Sequence, residues 1–137
     1  MIKKIDHVSI VAKDIGKMVS LFSRAFGFEV AETLDVPEQG FRSILIRKEA
    51  VIIELVEPLN PESPMAKFLG NRESALHHFS LQVESIVDDP ASLKAQGIRM
   101  VSETPLQVTE TARTNFVHPG SMGGILIELI ERGENPH

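Results

Sequence analysis

Apolar and polar positions alternate along much of the chain, which predicts strands interrupted by short helices. "IDHVSIVA" (5–12) and "LHHFSLQV" (76–83) each alternate with a period of two, as half-buried strands do. In the second, His77, Phe79, Leu81 and Val83 share one face, and His78, Ser80 and Gln82 the other. After each strand the period changes. Ile15, Met18, Val19, Phe22 and Phe26 recur at helical spacing, with Asp14 as N-cap and Gly27 as stop. "SIVDDPASLKAQG" (85–97) predicts another helix, opened by Ser85 and ended by Gly97. Strands are predicted at about 28–34, 41–47 and 50–56, and again near 98–103, 113–118 and 124–131. Between the two sets, "PESPMAKFLG" (61–70) predicts a short helix with Ser63 as cap, Pro64 at its first position and Gly70 at its end. The closing "GENPH" reads as a frayed tail.

The two sets are a repeat. "IDHVSIVAKDI" (5–15) lies over "LHHFSLQVESI" (76–86) at a constant shift of 71, so that His7 meets His78 and Ser9 meets Ser80. "IIELVE" (52–57) lies over "LIELIE" (126–131) at a shift of 74, so that Glu54 meets Glu128 and Glu57 meets Glu131. The difference of three residues is an ordinary loop insertion. Residues 1–60 and 72–134 therefore read as homologous halves of one domain spanning 1–137, joined by the helix near 62–70.

Each half carries a carboxylate at the centre of an apolar strand, Glu54 in "VIIELVEP" and Glu128 in "ILIELIER". Leaving a buried carboxylate without a partner costs several kcal/mol, against a total stability of about 5–15 kcal/mol. Two such groups either stay protonated or meet a cation, and the cation is the favoured option. No Lys or Arg occupies the centre of these strands, whereas one histidine per repeat is available. His7, Glu54, His78 and Glu128 offer two imidazoles and two carboxylates, a set that balances a divalent ion such as Zn, Co, Ni, Mn or Fe. A solitary histidine or glutamate in a strand is more often structural, and only the coincidence within a repeat favours ligation. Glu57 and Glu131, of opposite parity and near strand ends, are expected on the solvated surface. His77 and His118 are expected in structural roles. Met18, Met65, Met100 and Met122 are expected to fill gaps in the core or loops.

Composition narrows the possibilities. The 137 residues are 42% hydrophobic and 24% charged with formal net charge −5, which suits one globular domain. The 14 Lys and Arg residues form no basic tract, so nucleic acid is not an expected partner. No apolar run approaches the roughly 18 residues that cross a bilayer, and no membrane association is expected. "MIKKIDH" leads directly into a strand without signal-peptide features. The absence of cysteine excludes disulfides and thiolate metal sites, and the features together suit a cytoplasmic protein.

With these motifs in place, the chain resembles the vicinal oxygen chelate (glyoxalase/bleomycin resistance) superfamily, and within it the methylmalonyl-CoA epimerases. "VPEQG" (36–40), "IELVEPLNPESPMAKFL" (53–69), "LHHFSLQV" (76–83) and "NFVHPGSMGGILIEL" (115–129) carry the likeness over nearly the whole chain. The resemblance implies an α+β fold, two tandem βαβββ modules whose mixed sheet curls around a divalent metal. It also implies His7, Glu54, His78 and Glu128 as ligands, the set reached above from repeat and charge. Two features depart from the family. One of its branches has a second carboxylate base where this chain has Ser43. The usual Gly-rich loop before R-x-N-F-x-H-P is here "LQVTETARTNFVHP", which has no glycine.

The resemblance implies an epimerase that abstracts the proton α to the carbonyl of an acyl-CoA thioester, with Glu128 as base. With Ser43 in place of a carboxylate, a metal-bound water or Glu54 is the candidate second proton donor. A homodimer is expected by analogy with the superfamily. A lactoylglutathione-lyase-like isomerase is the competing enzyme. A metal-free, drug-sequestering binding module ranks below both because the quartet is intact and Phe is the sole aromatic. Extradiol dioxygenase chemistry is weakened by the lack of Tyr.

Overall fold

A computed structural model describes residues 1–133, so the "GENPH" tail beyond Gly133 lies outside the described residues. The chain divides into two compact units, residues 7–77 and residues 1–6 together with the chain from His78 onward. Two strands straddle this division: β1 (Ile2–Ala12) and β5 (Ser74–Val83). The exchange is reciprocal. In the first unit the Lys13 N–H donates to the Glu73 carbonyl at 3.0 Å, and in the second the Glu84 N–H donates to the Met1 carbonyl at 3.1 Å.

The first unit contains α1 (Ile15–Phe26), β2 (Glu29–Val36), β3 (Phe41–Lys48), β4 (Val51–Pro58) and α2 (Pro64–Leu69). Its strands run in the order β2-β3-β4-β1, with β4 and β1 parallel and the other pairs antiparallel. The predicted signals set the helix ends. The Asp14 side chain accepts from the Lys17 N–H at 3.0 Å, and Gly27 ends α1 in the left-handed conformation at φ 78°. The Ser63 hydroxyl accepts from the Ala66 N–H at 3.2 Å, with Pro64 opening α2. Ile15, Phe28, Ile46 and Leu55 form the core beneath α1, and Met18, Val19 and Phe22 pack against it. Phe26 lies at the edge of the helical stripe, 65% exposed, with its ring 6.1 Å from that of Phe22.

The second unit contains α3 (Asp88–Ala95), β6 (Leu106–Gln107), β7 (Ala112–Val117) and β8 (Ile127–Arg132), with strand order β5-β8-β7-β6. Val83, Ile86, Val117, Ile127 and Leu129 form its core, joined by Met100 and Met122. Ser85 opens the helical turn as expected: its hydroxyl accepts from the Asp88 N–H at 2.9 Å, and its own N–H donates to Asp89 at 3.2 Å.

The strand predicted at 98–103 is broken. Met100 bridges Val117, and pairing resumes only at Leu106 opposite Thr114. The intervening residues bulge because Asn115 takes over as their partner. Its side chain accepts from the Ser102 N–H at 3.2 Å and donates to the Ser102 carbonyl at 2.8 Å. Pro105, which has no N–H to give the ladder, follows within the bulge. Among the described residues, no helix is long and apolar enough to cross a membrane.

Glu57 and Glu131 do not lie on the solvated surface, contrary to the sequence-based expectation. Glu57 accepts from the Ile15 N–H at 3.2 Å and stands 3.7 Å from Arg42. Glu131 accepts from the Ile86 N–H at 3.2 Å and from Arg113 at 2.6 Å. Ile15 with Ile86, and Arg42 with Arg113, are again equivalent at a shift of 71. Each half thus ties the entry to its helix through one strand carboxylate, which an arginine on the neighbouring strand neutralises. Burial alone would raise such a carboxyl, but the Arg113 hydrogen bond outweighs it and holds Glu131 below the usual carboxylate range.

A carboxyl that titrates lower in the folded than in the unfolded chain contributes stability above its unfolded pKa and loses it as pH falls through the folded value. Glu131→Gln is therefore expected to lower unfolding free energy by about 1–2 kcal/mol at pH 7. In urea titrations, its deficit relative to the parent protein should shrink as pH falls below 4.5, the ordinary glutamate value. A deficit independent of pH would rule out the ion-paired carboxylate as its source.

Candidate metal centre

In the first unit, β1 and β4 lie parallel with Ser9 opposite Glu54. His7, two residues before Ser9, points to the same face of its strand. Ser9 is fully buried, and its hydroxyl donates to Glu54 Oε1 at 2.9 Å. His7 is buried and Glu54 half-buried, and their donor atoms lie within 4.8 Å of each other. The serine fixes one carboxylate oxygen, leaving the rest of the group near an imidazole nitrogen.

The second unit repeats the backbone arrangement. β5 and β8 are parallel with Ser80 opposite Glu128, and β7 places Phe116 opposite Glu128 on its other side. His78 is buried, with its ring 5.3 Å from that of Phe116 and nearly perpendicular to it, at 85°. The side-chain bond is not repeated. Ser80 is fully buried like Ser9, yet its hydroxyl has no hydrogen-bond partner among the described residues.

His7, Glu54 and His78 each offer one ligand atom that suits a metal ion, and Glu128 is outside this group. Two buried imidazoles and a half-buried carboxylate, without thiolates, fit a borderline divalent cation. The Ser80 hydroxyl, buried without a hydrogen-bond partner among the described residues, is the polar atom of the second strand pair that calls for a further partner.

Residues beyond the quartet take other roles. Asp6, immediately before His7, is 7% exposed and forms a bidentate ion pair with Arg132, at 2.7 and 2.8 Å. Strand periodicity alone does not reveal this pair, although a charged residue inside the strand "IDHVS" is its signal. Ser43 is buried in β3 between Val56 and Leu34, a hydroxyl without a carboxylate's basicity. His77 packs edge-on against Phe68 at 4.8 Å, and burial lowers its pKa. His118 accepts from the Gly120 N–H at 3.0 Å and caps the turn at Pro119–Ser121, a structural role as expected.

The glycine-free loop is a hairpin between β6 and β7. The Gln107 side chain donates to the Thr109 carbonyl at 2.6 Å, so a side chain closes a turn where a Gly-rich loop would leave backbone N–H groups open. A cavity of about 520 Å³ opens between α3 and the bulge after Met100, and its lining includes none of the four predicted ligands.

Comparisons with known proteins agree with this arrangement. Residues 6–118 match the glyoxalase/bleomycin resistance protein/dioxygenase superfamily. The chain is 32% identical over 132 residues to the mitochondrial methylmalonyl-CoA epimerase of Dictyostelium discoideum, covering 96% of this chain and 80% of that protein. The crystal structure of methylmalonyl-CoA epimerase from Mycobacterium tuberculosis superimposes with a TM-score of 0.86 at 31% identity, over 97% of this chain and 90% of the other. A methylmalonyl-CoA epimerase in complex with methylmalonyl-CoA and NH4+ superimposes with a TM-score of 0.85 at 27% identity, over 99% of this chain and all of the other. The fold is that of the vicinal oxygen chelate proteins.

Proposed function

We propose that this chain, which belongs to the glyoxalase/bleomycin resistance/dioxygenase superfamily and within it to the methylmalonyl-CoA epimerase family, is a metal-dependent epimerase of methylmalonyl-CoA. The observation that carries the reading is the duplicated strand pair. Twice the fold sets a serine directly opposite a half-buried glutamate and a buried histidine two residues before that serine.

His7, Glu54, His78 and Glu128 are the proposed ligands of one divalent ion. When bound, the ion supplies Lewis acidity that stabilises negative charge developing on the thioester oxygen. The chain's own groups move the protons. Glu128 is assigned the removal of the proton from the carbon α to the carbonyl, a role that requires it to come within hydrogen-bond reach of that proton. Inversion requires a proton from the opposite face of the planar intermediate. Ser43 lacks the basicity for that exchange, so the role falls to Glu54 or to solvent. Phe116, against His78, covers one side of that imidazole with apolar surface.

We also propose that the protein acts as a cytoplasmic homodimer. Support comes from the absence of cysteine and from Ile5 and Leu76, repeat equivalents that are 61% and 70% exposed. Both would gain from burial against a second copy. Sedimentation equilibrium at micromolar concentration should give twice the chain mass, and a single-chain mass would remove this part of the proposal.

Two experiments test the activity. Titration with Co2+ should give one ion per chain, and His7→Ala or His78→Ala should weaken binding roughly a hundredfold or more. Protein loaded with metal should exchange the α proton of methylmalonyl-CoA with solvent deuterium, followed by NMR. Glu128→Gln should slow that exchange by roughly 10²–10⁴-fold. No exchange by the loaded protein would overturn the substrate assignment, and isomerisation of a hemithioacetal instead would make it a lactoylglutathione-lyase-like enzyme.

A further inference from the structure

The helix-facing sides of the two halves are filled differently. In the first, Ile44 lies opposite Leu55 and packs with Met18, Val19 and Phe22 against the core under α1. Its repeat equivalent is Asn115, which lies opposite Leu129 in the same register. Asn115 fills no apolar space. Its amide oxygen accepts from the Ser102 and Phe116 N–H groups at 3.2 and 2.9 Å, and its amide nitrogen donates to the Ser102 carbonyl at 2.8 Å. Those bonds fix the bulge after Met100, where the first half has the paired strand β2. The covering helix is also shorter, eight residues in α3 against twelve in α1, and none of the eight is fully buried. The cavity of about 520 Å³ is the space left between them.

We propose that this cavity is a second binding site, separate from the metal centre, for a small amphipathic carboxylate. A volume of roughly 300–1,000 Å³ is that of small-molecule sites. Ile86 and Met100 give an apolar floor, and Val87 and Val101, 56% and 58% exposed, gain from being covered by an alkyl or aryl tail. Lys94 and Arg99 line the same space, and their side chains make no ion pair or hydrogen bond among the described residues. Glu103 is the one carboxylate of the lining, so two cations leave a local charge of +1 in a chain of net charge −5. That balance matches a monoanion, and the arginine fork matches a carboxylate. The site is on the α3 face of the sheet. Asn115 is on that face with Leu129, whereas Phe116, next in the chain, lies opposite Glu128. Occupancy is therefore independent of the metal centre and of the reaction assigned to it.

Titration of the full 15N-labelled chain with octanoate, followed by amide NMR, tests the site. Saturable shifts are expected at Val87, Ala91 and Lys94 and from Met100 to Glu103. Acetate lacks the tail and 1-octanol the charge, and each should bind at least roughly tenfold more weakly than octanoate. Replacing both cations, Lys94→Ala with Arg99→Ala, should weaken octanoate binding roughly tenfold or more without lowering the urea midpoint, because both side chains are exposed and unpaired. Ala91→Phe, on the exposed side of α3, should abolish binding by filling the space. Absence of saturable octanoate binding would overturn the proposal. Equal binding of 1-octanol would reduce the site to an apolar patch, and tighter binding of octyl phosphate would make the headgroup a phosphate; either overturns the carboxylate assignment. Shifts centred on Ser80 and Phe116 instead would place the ligand at the metal centre, and the second site would fall.

Discussion

A carboxylate placed in an apolar strand must be given a positive charge or a strong donor, and the fold is organised around meeting that demand repeatedly. Five acidic side chains lie wholly or partly inside the strands: Asp6, Glu54, Glu57, Glu128 and Glu131. Three are met by arginine. Asp6 takes Arg132 in a bidentate pair, Glu57 stands near Arg42, and Glu131 takes Arg113. Glu54 takes a serine hydroxyl and has a histidine beside it. A neutral hydroxyl and an imidazole solvate a carboxylate without supplying the full cation that the arginines supply. Glu54 is thus the strand carboxylate that stays suited to a metal ion beside His7.

Duplication explains why the solutions come in pairs. The Glu57 and Glu131 clamps occupy equivalent positions, use equivalent arginines and hold equivalent helix entries, both with a backbone distance of 3.2 Å. The clamps also show the division of labour within one strand. Glu54 and Glu57, three residues apart, lie on opposite faces of β4. One face carries the helix and its clamp, and the other carries the candidate ligands. The same separation holds in β8, where Glu131 meets the entry to α3 while Glu128 faces Phe116 and Ser80. Stability and chemistry are assigned to different sides of the same strand, so either can change without rewriting the other.

Much of this was legible because it depends on short-range rules. The caps at Asp14 and Ser63 and the stops at Gly27 and Gly70 each answer to one or two residues, and both helices begin and end where those residues require. The repeat was legible because His7 with His78 and Glu54 with Glu128 retain both identity and parity. The break in the strand after Met100 was not. Pro105 hinted at it, but the cause is a contact from Asn115 to Ser102, thirteen residues away along the chain, which periodicity cannot reveal. Glu57 and Glu131 were misread for a related reason. Their partners Arg42 and Arg113 lie on other strands, β3 and β7, which the glutamates' own strands do not show. Asp6 escaped notice because its partner lies 126 positions away.

Departures from the repeat are more informative about chemistry than its agreements. A duplicated fold begins with two equal halves, and a reaction on one asymmetric substrate gives no reason to keep every pair equal. Where a pair is purely structural, as with the helix clamps, equality persists. Elsewhere the equivalents differ. Position 43 is serine and its repeat equivalent, 114, is threonine, so neither half offers a carboxylate there, and both side chains are buried. The serine–glutamate pairs retain their residues and differ in the bond itself.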